Sequence, residues 1–332
     1  SPDLLPQLFS SFGLSEHAAA GVCNTWSHAY SRQLRRCRYV NPTRVRQLAG
    51  VPTRPAGLCM LPGGVLAIAS CEADTQSAVK FIAARHDSDP QALAACRASS
   101  LAARRFAQPI GLALTNDGLL MCSTDQSSAL YKFATDGSMD ELATAPALAD
   151  YDQGFSGCAV HQQTQRTYAI GNNANGGSQA LVLLDANLQV VATVEATGGA
   201  PEDFEEEEYM PIRDVAVHGD QVIVLTTDHH AEGSGLRLLD LDGRYLRTIA
   251  AGDFTDPQAV AASHGRAFVV DDDVVPGKVL HVIDLQSGDI LQSVRLELHG
   301  RVSAMTVDGD EIYIAGFSAN EVVVLQLAGS EA

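Results

Sequence analysis

Hydrophobic residues in most of this chain occur in short runs separated by polar turns. From about residue 56 onward, one unit of this pattern repeats six times. The first strand of each unit is an apolar run of four residues, at positions 57–60, 111–114, 157–160, 214–217, 259–262 and 304–307. Successive runs begin 54, 46, 57, 45 and 45 residues apart. Runs this short, bounded by turn residues, are typical of buried β-strands.

Turn residues after the first strands favour tight hairpins, as in Pro62-Gly63-Gly64 and Asn116-Asp117-Gly118. Third strands are predicted at 78–82, 129–133, 180–185, 236–240, 278–284 and 321–327, and fourth strands at 139–143, 244–250 and 289–298. A period near 45 residues with three or four strands is typical of β-propeller blades. The sequence therefore predicts a mainly β fold, a six-bladed β-propeller.

Both ends of the chain are predicted to complete one blade. The sixth unit has room for three strands before the sequence ends, and residues 43–50 have the pattern of the missing fourth. Closure of this kind removes an open blade edge with unpaired backbone groups. We therefore expect a helical segment over residues 1–40 and a propeller over residues 41–332.

Two segments interrupt the repeat. Residues 89–106 are rich in alanine and begin with the helix-start signal Asp89-Pro90, which predicts a helical insertion in blade 1. The pattern leaves the path of residues 83–108 open. The acidic run at 201–209 is interpreted as a solvated loop between blades 3 and 4.

The N-terminal segment has a different pattern, with apolar residues at helical spacing. Residues 2–10 (PDLLPQLFS), 13–16 (GLSE) and 22–26 (VCNTW) together resemble an F-box over about 35 residues. Pro6 departs from that family's pattern, in which Leu-Pro precedes the first helix. The repeats resemble propellers of the NHL type in blade pattern.

The F-box resemblance implies a non-enzymatic substrate receptor of a cullin-RING-type ubiquitin ligase. The residues expected to bind an Skp-type adaptor are Leu4, Leu5, Leu8, Phe9, Val22 and Trp26. Two other interpretations remain open: a propeller scaffold in another assembly, and a metal-dependent hydrolase or lyase of the six-bladed kind.

Charge divides the chain unevenly and suggests where a target binds. The net charge is −18, with +5 up to Arg54 and −23 beyond it. Strand direction predicts one face, the top, that collects polar residues at Glu72, Asp74, Asp125, Asn172, Asn173, Asp228, His229, His230, Asp271, Asp272, Asp273 and Asn320. Such a face favours a target protein with a basic segment. Acidic loops and 6% aromatic residues argue against nucleic-acid binding.

Motifs for catalysis are not found in the sequence. It contains no phosphate-binding Gly-x-x-x-x-Gly-Lys motif, dinucleotide Gly-x-Gly-x-x-Gly motif or Gly-x-Ser-x-Gly elbow. His229-His230 and the loop expected at 271–273 could supply metal ligands, but no ligand set extends over several blades. We therefore expect no metal, no cofactor and no enzymatic activity.

Seven cysteines without a Cys-x-x-Cys pair, and no glycosylation sequon, predict free thiols in the cytoplasm or nucleus. No apolar run is long enough for a membrane helix, so no membrane association is expected.

Overall fold

The computed structural model describes residues 40–71, 78–99, 109–123, 129–134, 141–145, 155–172, 179–195, 211–227, 234–273 and 277–327. Within them the strands form six antiparallel sheets arranged as the blades of a propeller, which confirms the predicted fold. Adjacent blades are in contact through their first strands, and blade 1 contacts blade 6 to complete the ring.

Blades 1, 2 and 3 contain β2 (Pro55–Leu61), β3 (Val65–Ser70) and β4 (Ala78–Ala83); β5 (Pro109–Leu114), β6 (Gly118–Ser123), β7 (Leu130–Ala134) and β8 (Glu141–Ala145); and β9 (Phe155–His161), β10 (Arg166–Gly171), β11 (Ala180–Leu184) and β12 (Val190–Glu195). Blades 4 and 5 contain β13 (Ile212–His218), β14 (Gln221–Thr226), β15 (Gly235–Asp240) and β16 (Tyr245–Ile249); and β17 (Pro257–Ser263), β18 (Arg266–Asp273), β19 (Gly277–Asp284) and β20 (Ile290–Arg295). Blade 6 contains β21 (Val302–Asp308), β22 (Glu311–Gly316), β23 (Glu321–Leu327) and β1 (Val40–Gln47).

Burial between blades explains why the second strands read as continuous apolar runs. Every residue of β3 is buried, because one face packs on blade 2 and the other on blade 6. A strand that is covered on both faces has no solvent-exposed side, so its apolar and polar residues do not alternate.

β1 closes the ring by pairing antiparallel with β23, from Val40 opposite Leu327 to Gln47 opposite Val323. The sequence predicted this strand at residues 43–50, so the observed strand is shifted by three residues toward the N-terminus. We call the face that carries the turns between first and second strands the bottom. Leu327 N donates a hydrogen bond to Asp310 O in such a turn, so β1 starts at the bottom.

Blade 1 departs from the regular plan. Its sheet has three strands among the described residues, and helix α1 (Pro90–Ala98) packs against β4. The Asp89 carboxylate caps α1 by accepting from Gln91 N at 2.8 Å, as the Asp-Pro signal predicted. Arg97 Nε donates to Phe81 O at 3.0 Å, which occupies one carbonyl at the blade edge.

The sequence missed one strand, and one sequence expectation needs correction. Blade 3 has a fourth strand, β12, for which the sequence provided no prediction. Residues 271–273 were expected in a loop, yet they are the last three residues of β18. The reason is that the ladder with β19 continues through Asp273 opposite Gly277. No helix in the described part of the chain is long and apolar enough to cross a membrane.

Candidate functional site

Asp271, one of the residues predicted on the top face, is a buried structural residue. It is 3% exposed, and its carboxylate accepts hydrogen bonds from Thr255 N at 3.0 Å and Asp256 N at 2.8 Å. These amides belong to the top loop that leads into β17. The carboxylate therefore holds that loop against blade 5 and is not a free surface charge.

The other described members of the top face also have partners within the propeller. Asp272 forms an ion pair with buried Lys278 at 2.5 Å. Asn172 Oδ1 accepts from Gln179 Nε2 at 2.9 Å, and Asn320 Oδ1 accepts from Arg54 N at 2.7 Å. The last bond joins blade 6 to the loop that leads into blade 1.

Most predicted site residues lie outside the part of the chain for which side chains are described. For the adaptor contact these are Leu4, Leu5, Leu8, Phe9, Val22 and Trp26, and for the top face they are Glu72, Asp74, Asp125, Asn173, Asp228, His229, His230 and Asp273. The adaptor and target roles of all these residues stay predictions.

A cleft of about 760 Å³ lies at the bottom where blade 6 meets blade 1. We call it the closing cleft. Its lining residues come from the end of β1, the segment after β4 and the turn between β21 and β22: Arg46, Gln47, Leu48, Ala49, Ala83, Ala84, Arg85, His86, Asp87, Gly309, Asp310 and Glu311. The cleft therefore lies beside the strand that continues from the N-terminal segment.

Charged side chains cross the closing cleft. Arg46 Nη2 lies 2.8 Å from Glu311 Oε1, and Arg85 is paired with Asp308 and lies 3.8 Å from Glu311 Oε2. Buried Tyr313 donates to Glu311 at 2.5 Å, and burial raises the pKa of its hydroxyl. Glu311 therefore contacts side chains from β1, from blade 1 and from its own strand.

Sequence reasoning missed this cluster. Asp308 follows the predicted first strand at 304–307, and Arg85 lies in the segment 83–108, whose path the sequence pattern leaves open. The two residues are 223 positions apart, so no local pattern joins them. The order of the blades predicts that blade 6 lies next to blade 1, but it does not predict a contact between these two side chains.

Asp214 is a second buried carboxylate, on the first strand of blade 4. Its oxygens accept from Val215 N at 2.8 Å and from Val260 N of blade 5 at 2.9 Å. Burial raises the pKa of Asp214 from its ordinary 3.8 to about 7, although the two amide donors oppose the shift. The corresponding residue in blades 1 to 3 is glycine, and at Gly57 a Cβ would approach Ile110 O to 2.4 Å.

Thiols and metal-ligand groups show no arrangement for catalysis among the described residues. Cys59, Cys71, Cys96 and Cys158 are free, and burial raises the pKa of Cys71 to about 11, which keeps the thiol protonated. No group of three or more His, Cys, Asp or Glu side chains in the described ranges could hold a metal ion.

Comparison with known proteins shows the fold. No protein-family model and no curated protein matches the sequence. Solved structures similar to this chain include Kuenenia stuttgartiensis hydrazine synthase, with 14% identity, a TM-score of 0.52, and coverage of 87% of this chain and 99% of that one. The WD40 β-propeller domain of Doa1 has 12% identity, a TM-score of 0.51 and coverage of 87% and 99%. A protein of unknown function from Bacteroides thetaiotaomicron has 11% identity, a TM-score of 0.53 and coverage of 86% and 73%.

Proposed function

We propose that this protein is a non-enzymatic interaction scaffold that acts as the substrate receptor of a cullin-RING-type ubiquitin ligase. The observation that supports the proposal is the entry of the chain into the ring. Residue 40 begins β1 at the bottom, and the F-box-like motif at 2–26 precedes it by 13 residues. An adaptor held by that motif would lie on the bottom side.

Ring closure makes the strand that follows the N-terminal segment part of the propeller. β1 is a strand of blade 6, and Arg46 at its end is paired with Glu311. A force on the N-terminal segment would therefore act directly on a folded blade.

The proposed target-binding surface is the top face, on the side opposite the adaptor. The net charge of the propeller would attract a target with a basic segment. Because Asp271 is buried, reversing its charge would test folding and not binding. Replacement of Asp125 and Asp228 with lysine is the better test: capture of a basic target should weaken, and the loss should shrink as salt rises.

Binding to a purified Skp-type adaptor, measured by calorimetry, tests the ligase role. The full chain should form a one-to-one complex. The double variant Leu8→Ala, Phe9→Ala should bind about 100-fold more weakly, since each apolar anchor contributes roughly a factor of ten. Its thermal unfolding should match that of the unmodified chain.

Leu142→Ala is the matched control, because Leu142 is an apolar residue 51% exposed on the propeller. This variant should bind the adaptor as the unmodified chain does. No binding by the full chain, or equal binding by the double variant, would overturn the proposal.

A further inference from the structure

The outer rim of blade 3 has an unusual edge strand. Among the described residues β12 is the last strand of its sheet and pairs only with β11, so within them one side of its backbone faces outward. Its first residues, Val190 and Val191, are 44% and 54% exposed. Consecutive strand residues normally point to opposite faces. A bulge at this point in the ladder with β11 accounts for the exposure of both.

Three other outer strands differ from β12 in charge or in the exposure of their apolar residues. In β8, Glu141 precedes exposed Leu142, and in β16, Arg247 follows exposed Tyr245 and Leu246. In β20, the apolar residues at the start are half-buried. Charges and bulges at sheet edges prevent added strands from pairing. β12 shares the bulge and, like β20, has no charge in its first five residues, but unlike β20 it also exposes two apolar side chains, Val190 and Val191.

We propose that β12 binds an extended segment of a partner protein, which adds a fifth strand to blade 3. The outward N–H and C=O groups of residues 192–195 would pair with the segment's backbone, and Val190 and Val191 would contact its apolar side chains. This rim site is separate from the adaptor and top-face contacts proposed above.

Charge selects the chemistry of that partner. The chain carries −18, and the one charged residue of β12 is Glu195. A second copy of this chain would bring the same negative charge to the edge. The favoured occupant is therefore a segment of alternating apolar and small polar residues flanked by lysine or arginine.

A labelled synthetic peptide, KRVTVTVRK, is a suitable probe, measured by fluorescence anisotropy with the full chain. It should bind, and amide hydrogen exchange at residues 192–195 should slow on binding. KRVTPTVRK keeps the charge but cannot pair as a strand, and EDVTVTVDE reverses the charge. Each should bind about tenfold more weakly or worse.

Val191→Lys places a charge on an exposed side chain of the edge and should weaken KRVTVTVRK binding about tenfold. Leu246→Lys is the matched control on β16, at 48% exposure, and should leave peptide affinity within about twofold. Adaptor binding by Val191→Lys should be unchanged, which separates this site from the ligase role.

Three results would overturn the proposal. The first is equal binding of KRVTVTVRK and KRVTPTVRK, which would show attraction by charge alone. The second is unchanged peptide affinity in Val191→Lys. The third is a dimer of the peptide-free chain that Val191→Lys dissociates, since the occupant would then be a second copy.

Discussion

We call the contact between two neighbouring blades a seam. Equivalent positions carry opposite charge at the regular seam between blades 3 and 4 and at the closing seam between blades 6 and 1. The first and third residues of the second strand are Arg166 and Tyr168 in blade 3, and Glu311 and Tyr313 in blade 6. Arg166 pairs with Asp242 of blade 4, whereas Glu311 approaches Arg85 of blade 1.

The hydrogen-bond acceptors of the two tyrosines also differ, one being a backbone carbonyl and the other a carboxylate. Tyr168 donates to the Leu241 carbonyl at 2.8 Å, and Tyr313 donates to the Glu311 carboxylate. At the regular seam Arg166 therefore meets one backbone carbonyl, that of Leu241, and one carboxylate, that of Asp242. At the closing seam the Glu311 carboxylate meets two cations, Arg85 of blade 1 and Arg46 of β1 in its own blade. The first residue of the second strand, Arg166 in blade 3 and Glu311 in blade 6, therefore has the charge that suits its neighbours at each seam.

The largest expected effect comes from removing either tyrosine. Both side chains are fully buried, so Tyr168→Ala and Tyr313→Ala should each lower the free energy of unfolding by about 3–5 kcal/mol. Urea denaturation measures both. Similar losses would show that the seams are equally packed; a loss below about 1 kcal/mol at Tyr313 would show a loosely closed ring.

pH should distinguish the seam between blades 4 and 5, which contains Asp214. Because its pKa is raised to about 7 in the folded state, folding favours the protonated carboxyl, and stability falls as pH rises through that value. Between pH 5 and pH 8 the loss should be about 2–3 kcal/mol. Asp214→Ala should remove this component from urea-denaturation curves taken across the range. An unchanged pH dependence in the variant would contradict the assignment.

Charge reversal tests the closing seam itself. Glu311→Arg should lower the free energy of unfolding by about 1–2 kcal/mol, because it places like charges beside Arg85 and Arg46. Adding Arg85→Asp should restore part of the loss by recreating the charge order of blades 3 and 4. High salt should reduce both effects. Additive losses in the double variant would mean that the two positions do not interact.

The smallest effect concerns the edge of blade 1. Arg97→Ala removes the hydrogen bond to Phe81 O and should cost about 0.5–1 kcal/mol. Hydrogen exchange in β4 should rise, while exchange in β19, the corresponding strand of blade 5, should not change. Equal exchange in β4 before and after the substitution would show that the Arg97 hydrogen bond does not protect this edge.

Repeat length and turn residues were sufficient to predict six blades and the closing strand. β12 was not predicted because its turn has Leu188 at a φ of +61°, a conformation that usually favours glycine, so the turn has no glycine signal in the sequence. The usable signal was Asp185, whose carboxylate accepts from Asn187 N and Gln189 N. Asp240 forms the equivalent turn in blade 4 through Asp242 N and Arg244 N.

The candidate sites were harder to predict than the fold. An aspartate at a strand end reads as a surface charge, yet Asp271 is buried because two loop amides satisfy its oxygens. The closing cleft depends on residues from opposite ends of the chain, which sequence spacing cannot bring together. The local sequence pattern predicts the strands, whereas the partners of a side chain depend on which blades the closed ring brings together.

Hydrogen exchange in β23 tests the central claim, closure of the ring by β1, most directly. It should be compared in the full chain and in chains that lack residues 1–39 or 1–47. β23 amides should be equally protected in the first two and exchange much faster in the third, which lacks β1. Equal protection of β23 in all three chains would contradict closure by β1.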